Sequence, residues 1–155
     1  MQVKFGINLS VNTSDDTYVY GKLKHLYGIE KIEAFENNIT SFVSSFSFVQ
    51  VNSEIKEEIY DKISSLVKDE IVVDAYAGRG VLTSMMSKTA KKVYGIEIEH
   101  SSVCDAMLSL DVNKISNVEF IEGDTKEVLP QIESFDTLVL DPPRKGVSES
   151  VIKTI

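Results

Sequence analysis

Asp74-Ala75-Tyr76-Ala77-Gly78-Arg79-Gly80 places a carboxylate and two glycines where a strand turns into a helix. Gly78 and Gly80 let the backbone pass close to a ligand, as glycines do in nucleotide-binding turns. Asp74 at the strand end would repel a pyrophosphate and favour a cationic amino-acid ligand. The pattern Asp-x-x-x-Gly-x-Gly also lacks the third glycine of a dinucleotide fingerprint. The ligand that fits is an adenosine carrying an ammonium-bearing tail, S-adenosylmethionine in preference to NAD. The competing reading is an ordinary strand-turn-helix that needed two glycines.

Three more segments stand at expected strand ends. Gly95-Ile96-Glu97-Ile98-Glu99 closes the next strand. An acidic residue about 20 positions after the glycine turn is the usual acceptor for ribose hydroxyls. A carboxylate can accept from both hydroxyls, and Glu97, at the strand's own end, is preferred over Glu99. In Glu122-Gly123-Asp124, Asp124 could reach an adenine edge or simply cap the helix that follows. In Leu140-Asp141-Pro142-Pro143-Arg144-Lys145-Gly146, two prolines stiffen the loop and remove two N–H donors. Such loops at strand carboxyl ends are where open α/β sheets bind ligands. A fifth segment, Ser47-Phe48-Val49-Gln50-Val51-Asn52, puts Phe46, Phe48, Gln50 and Asn52 on one face if extended. An aromatic beside amides suits base stacking. On the residues alone, a core Phe and a helix cap at Asn52 is the stronger reading.

The elements that must position these residues follow from periodicity. Residues 1–12 alternate, with Val3, Phe5, Ile7, Leu9 and Val11 apolar, the period of a half-buried strand. Thr13 to Asp16 read as a turn and Tyr18 to Tyr20 as a short strand ended by Gly21; Lys22 to Leu26 read as one helical turn stopped at Gly28, and 39–51 as extended chain. From Asn52 the texture changes. Ile55, Ile59, Ile63 and Leu66 recur at helical spacing, with Asn52 or Ser53 as cap and Lys68 in the last turn. Strands at 71–75, 92–97, 117–121 and 137–141 then alternate with helices at 81–89, 101–112, 126–132 and 149–155. Short apolar strands alternating with helices predict an α/β, doubly wound, mostly parallel sheet. The expected division is a small β-rich section, 1–51, and a ligand-binding domain, 52–155. Ser148 caps a final helix with Val151, Ile152 and Ile155 on its apolar side. That helix has no glycine stop and no following strand, which reads as truncation inside a domain.

Composition narrows the classes further. The chain has 155 residues, 43% of them apolar, and a net charge of −8. No apolar run reaches the roughly 18 residues of a membrane helix, and no signal peptide opens the chain, so a cytoplasmic protein away from membranes is expected. The acidic balance argues against nucleic acid unless a basic surface lies elsewhere. Cys104 is the only cysteine. It cannot form an internal disulfide, and with His25 and His100 far apart no metal site is expected. Cys104 reads as a small buried hydrophobe.

In order along the chain, four segments resemble the S-adenosylmethionine-dependent RNA (uracil-5-)-methyltransferases. Ser47–Asn52 resembles that family's Ser-Phe-Phe-Gln-Val-Asn box, and Asp74–Gly80 its Asp-Leu-Tyr-Cys-Gly-x-Gly box. Gly95–Glu97 resembles its Gly-Ile/Val-Glu strand end, and Asp141–Gly146 its Asp-Pro-Pro-Arg-x-Gly box. Methyltransferases acting on amines tend to carry an aromatic where Arg144 stands. Val49 and Ala77 are mild departures. The resemblance implies a Rossmann-like methyltransferase sheet. It implies cofactor contacts from Gln50, Tyr76, Glu97 and Asp141, less firmly from Asp74, Gly78, Gly80 and Asp124. It implies Phe48 and Arg144 on the substrate side, with ribosomal or transfer RNA as partner.

Members of that family also carry an RNA-binding β-barrel, a nucleophilic cysteine and a later glutamate base, none of which is found in this chain. The resemblance places the cysteine and the glutamate beyond Ile155, so no catalytic residue is assigned within the 155 residues. The implied chemistry starts with an unstacked uridine. A cysteine thiolate adds to C6 and makes C5 nucleophilic toward the sulfonium methyl, and a base then removes the C5 proton. The chain alone is therefore expected to be inactive, with an uncovered sheet edge that favours self-association. A methyltransferase for a base amine and a non-catalytic cofactor-binding module remain the alternatives.

Overall fold

The computed structural model describes residues 5–10, 23–45, 47–50 and 52–155. Two antiparallel pairs come first. β1 (Gly6–Ser10) pairs with β2 (Leu23–Gly28), and β3 (Ile32–Glu36) with β4 (Ile39–Val43). Then follow α1 (Ser53–Leu66), β5 (Ile71–Ala75), α2 (Val81–Met86), β6 (Lys92–Glu97), α3 (His100–Val112) and β7 (Val118–Glu122). α4 (Thr125–Val128) runs into a 3-10 turn at Leu129–Gln131, and β8 (Thr137–Leu140) and α5 (Glu149–Thr154) complete the order.

The last four strands form one parallel sheet in the order β7-β6-β5-β8. The chain leaves β5 on one side through β6 and β7, then returns to the other side of β5 with β8. That reversal puts a crevice at the carboxyl ends of the strands, where sheets of this type bind ligands. Strand alternation sorts the core into two layers. Val72 and Val93 pack with Val67, Leu82 and Met86 on the face covered by α1 and α2. Val73 and Ile96 pack with Leu129 and Val151 on the other face, under α4 and α5. Helices thus cover both faces, as the strand-helix alternation requires. No helix among the described residues is long and apolar enough to cross a membrane.

The amino-terminal section departs from its expected form in several places. Of the helical turn expected at Lys22–Leu26, Lys22 lies outside the described residues and Leu23–Leu26 is not helical, because residues 23–28 are the strand that pairs with β1. The expected inward face of β1 points outward. Ile7 and Leu9 are each 49% exposed, while Asn8 between them donates to Ser45 Oγ and meets His25. Alternation identified a two-faced strand, but only docking decides which face is covered. The strand expected at Tyr18–Tyr20, the turn at Thr13–Asp16, Gly21 and the alternating Val3 and Val11 lie outside the described residues, as do Phe46 and Val51. Extended structure beyond Ile39 stops at Val43, short of the expected 51.

α1 is likewise rotated from its expected position. Ile55, Ile59 and Leu66 are at least 50% exposed, and the inward residues are Tyr60, Ile63 and Val67. Asn52 caps the helix as expected, accepting from the Ile55 amide at 3.1 Å. The helix ends at Leu66, so Lys68 lies past its last turn. α2 ends at Met86 instead of Thr89.

The last helix also differs from its expected form. α5 ends at Thr154, and Ile155 is its C-cap instead of its last helical residue. Of the apolar side expected for it, only Val151 is buried; Ile152 and Ile155 are exposed. Val151 packs with Val73, Ile96 and Leu129 in the core layer. Ile152, one residue on, is turned about 100° round the helix axis and so leaves that layer. Ile155 follows the last helical residue and packs in neither core layer.

Candidate functional site

At the crevice, the chain leaves β5 through a turn with three residues at positive φ: Tyr76 (68°), Gly78 (56°) and Gly80 (74°). Two backbone bonds hold it, Ala77 N–H to Ile96 O at 2.9 Å and Gly80 N–H to Ala77 O at 3.0 Å. The two glycines serve different ends. A Cβ on Gly80 would lie 2.6 Å from the Phe120 ring, so glycine lets the α2 start pack on β7. A Cβ on Gly78 would meet nothing within 4 Å, so the backbone there is open to the crevice. Tyr76 is the non-glycine residue held left-handed beside it. Such strain persists only where the surroundings over-determine it, and it gathers at ligand sites.

Glu97 ends β6 and reaches across to this turn. Its Oε2 accepts from Gly78 N–H at 2.9 Å, and its Oε1 accepts from the Ile98 and Glu99 amides, both at 2.8 Å. A carboxylate has about four acceptor sites, and three are taken. Glu97 therefore keeps room for one further donor, fewer than the two hydroxyls expected of it. Glu99 is occupied otherwise: it is the N-cap of α3, accepting from Ser102 N–H at 2.8 Å and from the Ser101 hydroxyl. Burial acts to raise its pKa, but these bonds outweigh it and hold the carboxyl low. Of the two glutamates, Glu97 faces the glycine turn and Glu99 caps α3.

Asp74 is only 2% exposed, and its Oδ2 accepts from Thr83 Oγ1 at 2.5 Å. Burial pushes its carboxyl up to about 7; the Thr83 bond opposes this, and the nearby charges of Asp141 and Glu97 add to it. Asp74 thus sits behind the turn instead of lining the crevice. An acid held above its ordinary value binds its proton more tightly when folded. Its sign follows: stability of the ligand-free chain is expected to fall as pH rises from 3.8 to about 7, as folding comes to require an ionised buried acid. Urea midpoints across that window should show the decline, and Asp74→Asn should flatten it. A decline unchanged in that variant would assign it to another group.

The remaining expected residues divide into those the crevice gathers and those it does not. A cavity of about 370 Å³ is lined by Tyr76, Glu97, Ile98, Gly123, Asp124 and Pro143, among others. Asp124 also caps α4, accepting from Lys126 N–H at 3.1 Å, as the cap reading expects. Asp141 follows β8 at the carboxyl edge and is exposed; Pro143 O accepts from Gly146 N–H at 2.8 Å, which leaves Arg144 exposed at the corner of a tight turn. Phe48 is 72% exposed, which overturns the core reading, and Gln50 is exposed too. Neither lines the cavity. A second cavity, of about 400 Å³, lies toward the amino ends of the strands beside Ile71, Tyr94 and Glu119, away from the glycine turn.

Three residues near the site escaped the sequence reading. Arg79, between the two glycines, is 7% exposed and turns away from the crevice. It donates to Glu36 Oε1 at 2.7 Å, Ser41 Oγ at 3.1 Å and Phe42 O at 3.3 Å. Lys56 meets the same Glu36. Burial acts to raise the Glu36 pKa, but Lys56, Arg79 and Ser41 outweigh it and bring it down to about 2. The signal for Arg79 was a charged residue inside a glycine turn; nothing local marked Glu36. Tyr60 is the third. Burial, then the charges of Asp74, Asp141 and Glu36, push its phenol up to about 12. Cys104 is partly exposed, not buried, and its Sγ lies 3.5 Å from His100 Nε2 on the preceding turn of α3. Among the described residues no cluster of three metal-ligating side chains occurs.

Comparison with known proteins agrees with this geometry. The family described as "Methyltransferase domain" matches residues 66–152. An uncharacterized RNA methyltransferase of Bacillus cereus is 38% identical over 154 residues, covering 94% of this chain and 34% of that protein. One from Clostridium tetani is 34% identical over the same length. The chain thus spans about a third of the length of the curated relatives it matches. Among solved structures, the Pyrococcus abyssi tRNA (uracil-54, C5)-methyltransferase in complex with S-adenosyl-L-homocysteine superposes with a TM-score of 0.79 at 28% identity, over 96% of this chain and 37% of that one. Trm5b of Pyrococcus abyssi shares the fold, with a TM-score of 0.67 at 22% identity over 90% of this chain and 42% of its own. With the family matched across the parallel sheet and its crevice, this chain belongs to the methyltransferase-domain family.

Proposed function

We propose that the crevice binds S-adenosylmethionine, and that the protein this chain belongs to methylates C5 of a uridine in ribosomal or transfer RNA. The observation that carries the cofactor reading is the Glu97 carboxylate, held by the Gly78 amide and by its own loop with one acceptor site free. The open space at Gly78 lets a ligand approach the backbone there. Glu97 would hold a ribose hydroxyl, with Tyr76 and Asp124 toward the adenine. Asp141, exposed after β8, would supply the negative charge an ammonium needs, and Gln50, exposed before α1 and outside the cavity lining, would meet a part of the cofactor that extends past it. When bound, the cofactor supplies an electrophilic methyl group. The residues of this chain bind and orient it. The binding unit is 52–155, with 1–51 contributing the segment that carries Phe48 and Gln50.

The uridine reading is supported by Asp141-Pro142-Pro143-Arg144 and by likeness to a uracil-C5 enzyme of tRNA. Phe48, exposed and aromatic, suits stacking on the target base. Arg144, exposed beyond the proline pair, suits the RNA. Cys104, hydrogen-bonded to His100 on α3, is not assigned the nucleophile's part. On this reading the nucleophile and the base come from sequence after Ile155.

Calorimetry of this chain with S-adenosylhomocysteine and with NAD tests the cofactor reading: the first is expected to bind, and tighter binding of NAD would overturn it. In the full-length protein with labelled cofactor and RNA, the methyl group is expected at C5 of uridine. Arg144→Ala should impair that transfer while cofactor affinity stays within about 0.5 kcal/mol. Label recovered on a base amine would replace the uridine reading with the amine one.

A further inference from the structure

Asp105 lies on the inner face of α3 and is 0% exposed, yet no part of the proposed mechanism uses it. Its two oxygens collect donors from three places in the preceding chain. Oδ1 accepts from Lys31 Nζ and from Ser44 Oγ, both at 2.7 Å. Oδ2 accepts from Ser44 N–H at 2.7 Å and from Ser47 Oγ at 2.6 Å. All of the roughly four acceptor sites of a carboxylate are filled. Burial acts to raise its pKa, and the bonds from Lys31, Ser47 and Ser44 outweigh it and keep the carboxyl ionised. Two helical turns further on, Asn113 bonds to both backbone groups of Thr40, accepting from its N–H at 3.0 Å and donating to its C=O at 2.7 Å. Together the two residues clamp β4 and the chain after it along α3.

Where that clamp ends is informative. Ser47 is its last contact. At the other side Asn52 is fixed as the cap of α1, accepting from Ile55 N–H at 3.1 Å. Between these anchors Phe48 is 72% exposed and Val49 46% exposed, and no side-chain hydrogen bond is made from 48 to 50 among the described residues. Holding exposed apolar side chains in place contributes little to folding. A buried carboxylate also adds little stability over an apolar side chain of the same size. What such a carboxylate does supply is a directional hold on Ser44 and Ser47, immediately before the residues read as facing cofactor and base.

We propose that Asp105 is a positioning residue, which through Ser44 and Ser47 fixes the segment carrying Phe48 and Gln50 and so sets the affinity of the crevice for its cofactor. The proposal rests on the reading of the crevice as a cofactor site bordered by the 48–50 segment, of which Gln50 is one expected contact, and the test separates the two. S-adenosylhomocysteine affinity is measured by calorimetry on this chain for Ser47→Ala, Ser47→Thr, Asp105→Asn and Gln50→Ala, with amide exchange followed at 48–50 and in β5 and β6. Ser47→Ala and Asp105→Asn are expected to weaken binding about tenfold, the usual loss for a charged hydrogen bond. They should speed exchange at 48–50 and leave β5 and β6 unchanged, and Ser47→Thr, which keeps the hydroxyl, should restore both. Ser47→Ala removes one bond at a partly exposed site, so it remains informative if Asp105→Asn does not fold. Unchanged affinity in both Ser47→Ala and Asp105→Asn overturns the proposal, whether or not Gln50→Ala binds normally. Normal binding by Gln50→Ala alone removes the Gln50 reading and leaves the positioning by Asp105 standing.

Discussion

Glu97→Ala is expected to weaken S-adenosylhomocysteine binding by about 1.5–3 kcal/mol, the cost of losing charged hydrogen bonds. Two losses combine. The free acceptor site disappears, and the Gly78, Ile98 and Glu99 amides lose the oxygens that accept from them at 2.8–2.9 Å. The second loss loosens the turn against the β6 loop, so the crevice is less well formed before any ligand arrives. Glu97→Gln keeps one acceptor oxygen and sets an NH2 group against an amide donor, so its loss should be intermediate. Glu99→Ala should behave differently. It removes the α3 cap at Ser102, which costs about 1 kcal/mol of stability, and leaves binding nearly unchanged. Calorimetry and urea denaturation on the same four proteins separate the effects. Equal losses of affinity at the two glutamates would place the ribose contact elsewhere.

Arg79→Ala is expected to destabilise the chain by about 3 kcal/mol. Removing one partner of a buried ion pair typically costs about 3–5 kcal/mol, because the other charge is left without compensation. Lys56 still reaches Glu36, which sets the expectation at the lower end. The loss also unties the glycine turn from β4, since the same guanidinium holds Ser41 and Phe42. An acid signature accompanies it. Glu36 is lowered from 4.5 to about 2, so its contribution is complete above 4.5 and is lost as pH falls toward 2. In Arg79→Ala that limb of the stability profile should shrink, and in Glu36→Gln it should shrink further, to the part that Glu99 and Asp105 contribute. Urea midpoints from pH 2 to 7 measure both. A loss below about 1 kcal/mol with an unchanged acid limb would mean the pair is no better than a surface one.

Much of the fold was legible because the parallel sheet is built from local signals. Ile71–Ala75 and Lys92–Glu97 are segments of strand length rich in Val and Ile, and both have the expected limits. The glycines, the proline pair and the acids at strand ends mark the crevice for the same reason: each imposes a backbone shape or a charge that a plain connection does not need. Periodicity carries less. It showed that β1, α1 and α5 are two-faced, but the covered face is a property of what packs there. Asn8, Tyr60 and Val151 turn inward while Ile7, Ile55 and Ile152 face out.

The long-range ties were decided by tertiary structure alone. Arg79 with Glu36, Asp105 with Ser44 and Ser47, and Asn113 with Thr40 join residues far apart in sequence. A side chain's partner across such a distance leaves no local pattern to read. The sequence by itself determined the parallel sheet and the glycine turn, and it named Glu97 and Asp124 among the acids at strand ends, because spacing and residue type suffice for these. Which of two neighbouring glutamates faces the crevice, how deeply Asp74 is buried, and what holds Phe48 in the open depend on contacts made only when the chain is folded.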